Sequence, residues 1–162
     1  HELDQTVART IFGATRDANL TLLRTERLRT GSIGASAVQQ AFYWRVAQSP
    51  AVRQICEVGF NAGHSSALWL EANPSANLTT FDLFEHHRLG FMKSVMRSSL
   101  ALLRGRFPGR IQVFAGNSLR TVPTAALRAR CDLVHVDGMH DVRNATCCHR
   151  VISTADLHFR VS

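Results

Sequence analysis

At 162 residues the chain is long enough for one domain with a buried core. Hydrophobic residues make up 45% and charged residues 19%, which excludes an intrinsically disordered chain, and no apolar run reaches the roughly 20 residues of a membrane-spanning helix. The net charge of +7 is carried by arginine, with Lys93 the only lysine; it favours acidic partners, but the arginines are spread along the chain without aromatic interleaving, so a composition bias is preferred over nucleic-acid binding.

Residues 3–29 carry partial helical spacing, broken near Gly13, and a second helix is expected from about Ser36 to Ala47 with Val38, Ala41, Phe42 and Val46 on one face. These elements form an expected N-terminal helical cap over residues 1–50, followed by a ligand-binding unit over 51–162. The stretch Ile55 to Ser66 organises that unit. It reads as a buried strand, a glycine turn and the first turn of a helix, with Gly59 and Gly63 where the chain must turn tightly and pass close to a ligand. The spacing Gly-x-x-x-Gly is neither the Gly-x-Gly-x-x-Gly of a dinucleotide site nor a P-loop. The helix N-terminus that follows offers free N–H groups to a carboxylate or phosphate.

Asn73-Pro74 closes that helix, and Leu78 to Asp82 reads as a second strand ending in a carboxylate. Residues 88–104 form an amphipathic helix with Leu89, Met92, Val95, Met96, Leu100 and Leu103 on one face. A third strand spans Ile111 to Ala115 and leads into Gly116-Asn117-Ser118. A short segment from Leu119 to Leu127 is interrupted by Pro123. A fourth strand runs from Cys131 to Asp137, then Gly138-Met139-His140, and residues 141–155 look helical. Alternating strands and helices predict a Rossmann-like α/β fold, a doubly wound and mostly parallel sheet. Ligands of such sheets bind beyond the carboxyl ends of the strands, and here every strand ends in polar or glycine residues.

Taken together, Glu57-x-Gly59-x-x-x-Gly63-x-Ser65, Asp82, Gly116-Asn117-Ser118 with Pro123 behind it, and Asp132 to Asp137-Gly-Met-His140 resemble a class I S-adenosylmethionine-dependent methyltransferase. The small-molecule O-methyltransferases are the branch the motifs most resemble, over about Gln54 to His149. The resemblance implies S-adenosyl-L-methionine as cofactor and a small hydroxylated molecule as methyl acceptor. It implies that Gly59 and Gly63 admit the methionyl part and that Ser65 meets its carboxylate. Glu57 would face the amino group, directly or through water. Asp82 would accept both ribose hydroxyls, and Asn117 and Ser118 would bond the adenine edge. Asn61 stands where glycine is commoner. Asp137 is the expected Mg²⁺ ligand and His140 the expected base. The structural alternatives are a Glu57–Arg53 pair, an Asp82 cap on the following turn, Ser118 as a helix N-cap, and Asp137 as a cap on the next helix with His140 in a solvated loop.

The acidic ligands that the family supplies after its fifth strand are not found, nor are the final strands of its sheet. The fold is therefore expected to be truncated after about the fourth or fifth strand, with residues 157–161 or another polypeptide covering the strand at 132–137. A catalytically inactive, methyltransferase-like subunit of a larger, RNA-containing assembly is the alternative function. An RNA methyltransferase ranks lower, because no Asn/Asp-Pro-Pro-aromatic motif follows the fourth strand. The four cysteines lack metal spacing and are expected as free thiols, which points to an intracellular location, cytoplasmic or organellar. Sequons at Asn19, Asn77 and Asn144 point the other way.

Overall fold

The computed structural model describes residues 37–84, 92–126 and 130–138. The helices expected at 3–29 and 141–155, the start of the helix expected at 88, His140 and the segment 157–161 lie outside these residues. The elements run α1 (Ala37–Ala47), β1 (Gln54–Val58), α2 (His64–Ala72), β2 (Asn77–Asp82), α3 (Met92–Arg106), β3 (Ile111–Ala115), α4 (Ser118–Ala126) and β4 (Leu133–Val136).

Among the described residues the strands form one parallel sheet in the order β3-β2-β1-β4. The chain works outward from β1 to β3, then crosses back to place β4 on the other side of β1. That reversal is the topological switch point at which doubly wound folds bind ligands. β1 is the central strand and is almost wholly buried, as a parallel strand covered on both faces must be.

Side chains alternate across the sheet. On one face Ile55, Leu78 and Leu133 pack with Phe60, Leu68, Trp69, Leu70, Met96 and Leu103 from α2, α3 and the glycine turn. On the other face Cys56, Val58 and Phe81 pack with Val122 of α4. Val95, Met96 and Leu103 of α3 are buried as their spacing predicts, and Leu100 is half-buried.

The face of α1 differs from the expected one. Val38 is 82% exposed and Phe42 49% exposed, whereas Gln40, Tyr43 and Ala47 are buried. The aromatic ring decides the matter: Tyr43 stacks on Trp69 with centroids 4.7 Å apart, and the helix turns to bring it there. Asn73 ties the same corner, donating from its side chain to the carbonyls of Ala47 and Val52, each at 2.8 Å.

Two of the arginines serve the fold. Arg110 donates to the carbonyls of Leu70 and Asn73 at the end of α2 and to that of Ala76, where a cation favours the helix C-terminus. Arg106 pairs with Glu71. The cysteines overturn the free-thiol expectation at two positions: Cys56 of β1 and Cys131, just before β4, form a disulfide. The β1–β4 pairing brings those strands side by side, with the two Cα atoms 5.8 Å apart, inside the range a disulfide spans.

Gly59 is required by close approach. Its φ is +101°, and a Cβ there would lie 2.3 Å from the carbonyl oxygen of Asp137. Gly59→Ala is therefore expected to cost about 2–3 kcal/mol from left-handed strain and overpacking together, read as a lower urea midpoint at unchanged slope.

Candidate active site

Because every described strand is parallel to its neighbours, the carboxyl ends of these strands lie at one edge of the sheet. Backbone bonds extend the ladders past the strand ends. The N–H of Gly59 donates to Phe81 O, that of Gly116 to Asp82 O, and that of Asp137 to Val58 O, each at 2.8 Å. The tips at residues 59, 82, 116 and 137 are thus neighbours, each about 4.8 Å from the next along the sheet. The glycine turn, Asp82, Asn117-Ser118 and Asp137 come together as the sequence predicts.

The turn itself is built on positive φ angles at Gly59 (101°), Asn61 (47°) and Gly63 (77°). Asparagine is among the non-glycine residues that best tolerate the left-handed region, which accounts for Asn61 where glycine is commoner. Gly63 also has no room for a side chain, since a Cβ would lie 2.8 Å from the Phe60 ring. It is the N-cap of α2 and makes no side-chain cap bond, so the positive end of the helix faces the turn. Ser65 lies in the first turn of α2 and is buried; Asn61 is exposed.

Asp82 holds this turn in place. Its Oδ2 accepts the N–H groups of Phe60 (2.7 Å) and Asn61 (3.1 Å), and its Oδ1 accepts that of Phe84 (2.8 Å). The expected capping role and a ligand role therefore coexist. A carboxylate offers about four lone-pair sites, and three are taken, so one acceptor site remains for a hydroxyl instead of the two expected.

Glu57 departs furthest from its expected place. It is fully buried, with no exposed surface, and faces the α1–α2 side of the sheet. The Ser66 hydroxyl donates to its Oε2, and the Trp69 indole N–H donates to its Oε1 at 3.3 Å. His135 of β4, its register partner, places Nδ1 3.3 Å from the same Oε1. On the other side of the imidazole, Nε2 lies 3.0 Å from the Tyr43 hydroxyl, which accepts a bond from Gln39 Nε2 at 3.0 Å. One tautomer of a neutral imidazole satisfies both contacts: Nδ1–H donates to Glu57 and Nε2 accepts from Tyr43. Burial pushes the Tyr43 phenol pKa up against the lowering effect of the Gln39 bond, and the nearby Asp137 and Glu57 carboxylates raise it further.

This buried network was not legible in the sequence, although one signal existed. Once β1 and β4 are paired in parallel, Glu57 and His135 face each other. Glu57 does not pair with Arg53 in this arrangement; its carboxylate is engaged by Ser66, Trp69 and His135 behind the turn.

At the end of β3, Asn117 takes the helix-capping role that was read for Ser118. Its Oδ1 accepts the N–H of Leu119 at 2.9 Å. Asn117 is exposed and Ser118 is half-buried. His64, the first residue of α2, has its pKa lowered by burial. The unfolded chain then binds more protons than the folded one below about pH 6.5, so stability is fully present above that pH and falls as pH drops. Thermal unfolding at a series of pH values should show this slope in the parent chain and a shallower one in His64→Gln.

No group of three His, Cys, Asp or Glu residues that could hold a metal ion occurs among the described residues. Asp137 is the one expected metal ligand that falls within them, so the residues described do not amount to an Mg²⁺ site. The donor set does fit a nucleoside bearing an amino acid: a helix N-terminus without a side-chain cap bond for a carboxylate, a remaining acceptor site on Asp82 for a ribose hydroxyl, and an exposed amide at Asn117 for a base edge.

A family described as a methyltransferase domain matches residues 56–154, more than half of the chain, and the chain belongs to that family. Its fold is the Rossmann-like fold of class I methyltransferases. It is similar to the SAH-bound methyltransferase PaMTH1 of Podospora anserina at 18% identity, covering 97% of this chain and 65% of that one with a TM-score of 0.66. It is also similar to the SAM complex of the O-methyltransferase TomG of Streptomyces achromogenes, involved in tomaymycin synthesis (24% identity, 85% and 60% coverage, TM-score 0.64). A third similar structure is the SAH complex of an O-methyltransferase of Bacillus cereus (16% identity, 93% and 61% coverage, TM-score 0.62). The chain spans less than two thirds of the length of these structures. No curated protein matches it at the sequence level. No described helix is long and apolar enough to cross a membrane.

Proposed function

We propose that the chain binds S-adenosyl-L-methionine at the carboxyl edge of its sheet and transfers the methyl group to a hydroxyl of a small molecule. The observation that supports this best is the gathering of the glycine turn, Asp82, Asn117-Ser118 and Asp137 at one sheet edge beside the switch point. The O-methyltransferases among the similar structures, crystallised with SAM or SAH, support the same reading.

S-Adenosyl-L-methionine, when bound, supplies an electrophilic methyl carbon on a sulfonium centre. The α2 N-terminus, with Ser65, holds the carboxylate. Gly59, Asn61 and Gly63 form the turn against which the methionyl part lies. Asp82 accepts a ribose hydroxyl while its other lone pairs keep the turn closed. Asn117 and Ser118 bond the adenine edge. Glu57 acts indirectly, fixing the strand that carries the turn. His140 is the proposed base, which would take the proton from the acceptor hydroxyl as the oxygen–methyl bond forms and the methyl–sulfur bond breaks, the thioether S-adenosylhomocysteine leaving; an imidazole titrates near neutrality and suits that task.

The test is transfer of a radiolabelled methyl group from S-adenosylmethionine to a panel of small hydroxylated acceptors. Label in an ether product, lost in Asp82→Ala, is the expected result. Cofactor binding without transfer to any hydroxylated acceptor would contradict the O-methyltransferase reading.

A further inference from the structure

Two features stand apart from the cofactor edge: the Cys56–Cys131 disulfide and an exposed sequon. Asn77-Leu78-Thr79 opens β2. Asn77 is exposed, and its backbone is fixed by a bond from its N–H to Arg53 O at 2.8 Å. Thr79 is buried and its hydroxyl accepts a bond from Gln54 Nε2 at 3.0 Å. A sequon is read in the extended chain before folding, when the Thr79 hydroxyl is free. What the folded state must provide is room at the asparagine, and Asn77 has it.

Position matters too. Asn77 lies at the amino end of β2 and Asp82 at its carboxyl end. Five residues at about 3.3 Å each place them roughly 16 Å apart along the strand. A bulky, solvated group on Asn77 projects from the sheet edge opposite the candidate active site and leaves that site open.

The disulfide supplies the second, independent observation. Cys56 is 4% exposed and bonded to Cys131 across a sequence separation of 75 residues. Disulfides of this structural kind form and persist in oxidising compartments, and the lumen of the secretory pathway is where N-linked glycans are added.

We propose that the chain folds in an oxidising lumenal compartment and carries an N-linked glycan on Asn77. The donor is an oligosaccharide linked to a lipid pyrophosphate. A bond forms between Asn77 Nδ2 and the anomeric carbon, the bond from that carbon to the pyrophosphate oxygen breaks, and the amide nitrogen loses one proton as the lipid pyrophosphate leaves. The proposal does not depend on the methyltransferase reading.

The experiment is peptide mapping of the protein purified from its own cells, alkylated without reduction and treated with a glycan-releasing amidase in ¹⁸O-water. The expected result is ¹⁸O-labelled aspartate at position 77, with the Cys56 and Cys131 peptides joined until reductant is added. Unlabelled asparagine at 77 overturns the proposal, and so do alkylated thiols at Cys56 and Cys131. In the same cells Asn77→Gln should lose one glycan step in gel mobility. Thr79→Ser should keep it, because that change preserves both the sequon and the hydroxyl that Gln54 bonds; loss of the step in Thr79→Ser at normal yield would also overturn it.

Discussion

Glu57→Ala should lower folding stability by about 3–5 kcal/mol, the range for removing one member of a buried, fully engaged polar group. The carboxylate is buried completely, and its removal leaves the Ser66 hydroxyl, the Trp69 indole N–H and His135 facing a void. His135 then loses the contact that selects its tautomer, and the loss passes to Tyr43, which stacks on Trp69 and anchors α1. Glu57→Gln keeps one acceptor oxygen at the same place and should lose less than half as much. Urea unfolding followed by circular dichroism gives both values. A Glu57→Ala chain within 1 kcal/mol of the parent would show that the network is ornamental to the fold, in conflict with its complete burial.

Asp82→Ala should weaken S-adenosylhomocysteine at least roughly 100-fold, the equivalent of one or two charge-assisted hydrogen bonds. Two effects combine. The remaining acceptor site for a ribose hydroxyl disappears, and the amides of Phe60 and Asn61 lose the oxygen that holds the glycine turn closed. Asp82→Asn separates them: its carbonyl oxygen still accepts from the turn amides, while its NH₂ replaces the acceptor that Phe84 and the ligand use. An affinity for Asn between those of the parent and Ala is the expected order. Asp82→Ala binding within threefold of the parent, in a chain that stays folded by circular dichroism, would remove Asp82 from the site.

Much of the architecture was legible in the sequence because strands and turns carry local signals. β1, β2 and β3 fall within one residue of the expected segments, since each is a short apolar run bounded by glycine, proline or a carboxylate. β4 is shorter than expected at Leu133–Val136: Asp132 is drawn out of the strand, its Oδ2 accepting the N–H groups of Arg53 and Gln54, each at 2.8 Å. The face of α1 was misread because spacing ranks Val38 and Phe42 as core, whereas packing selects Tyr43 for its partners Trp69 and His135. The disulfide and the Glu57–His135 contact share one cause. Both join β1 to β4 or to the residues just before it, far away in sequence, and neither has a local signature until the strand order is known.

The central claim is that the strand tips at Gly59, Asp82, Asn117 and Asp137 form one cofactor cleft. Isothermal titration of S-adenosylhomocysteine into the folded chain, with adenosine and homocysteine titrated separately, tests it most directly. Saturable one-to-one binding, tighter for the intact molecule than for either half, is the predicted result, because one cleft engages both ends at once. Absence of heat and of any thermal shift at millimolar ligand would contradict it.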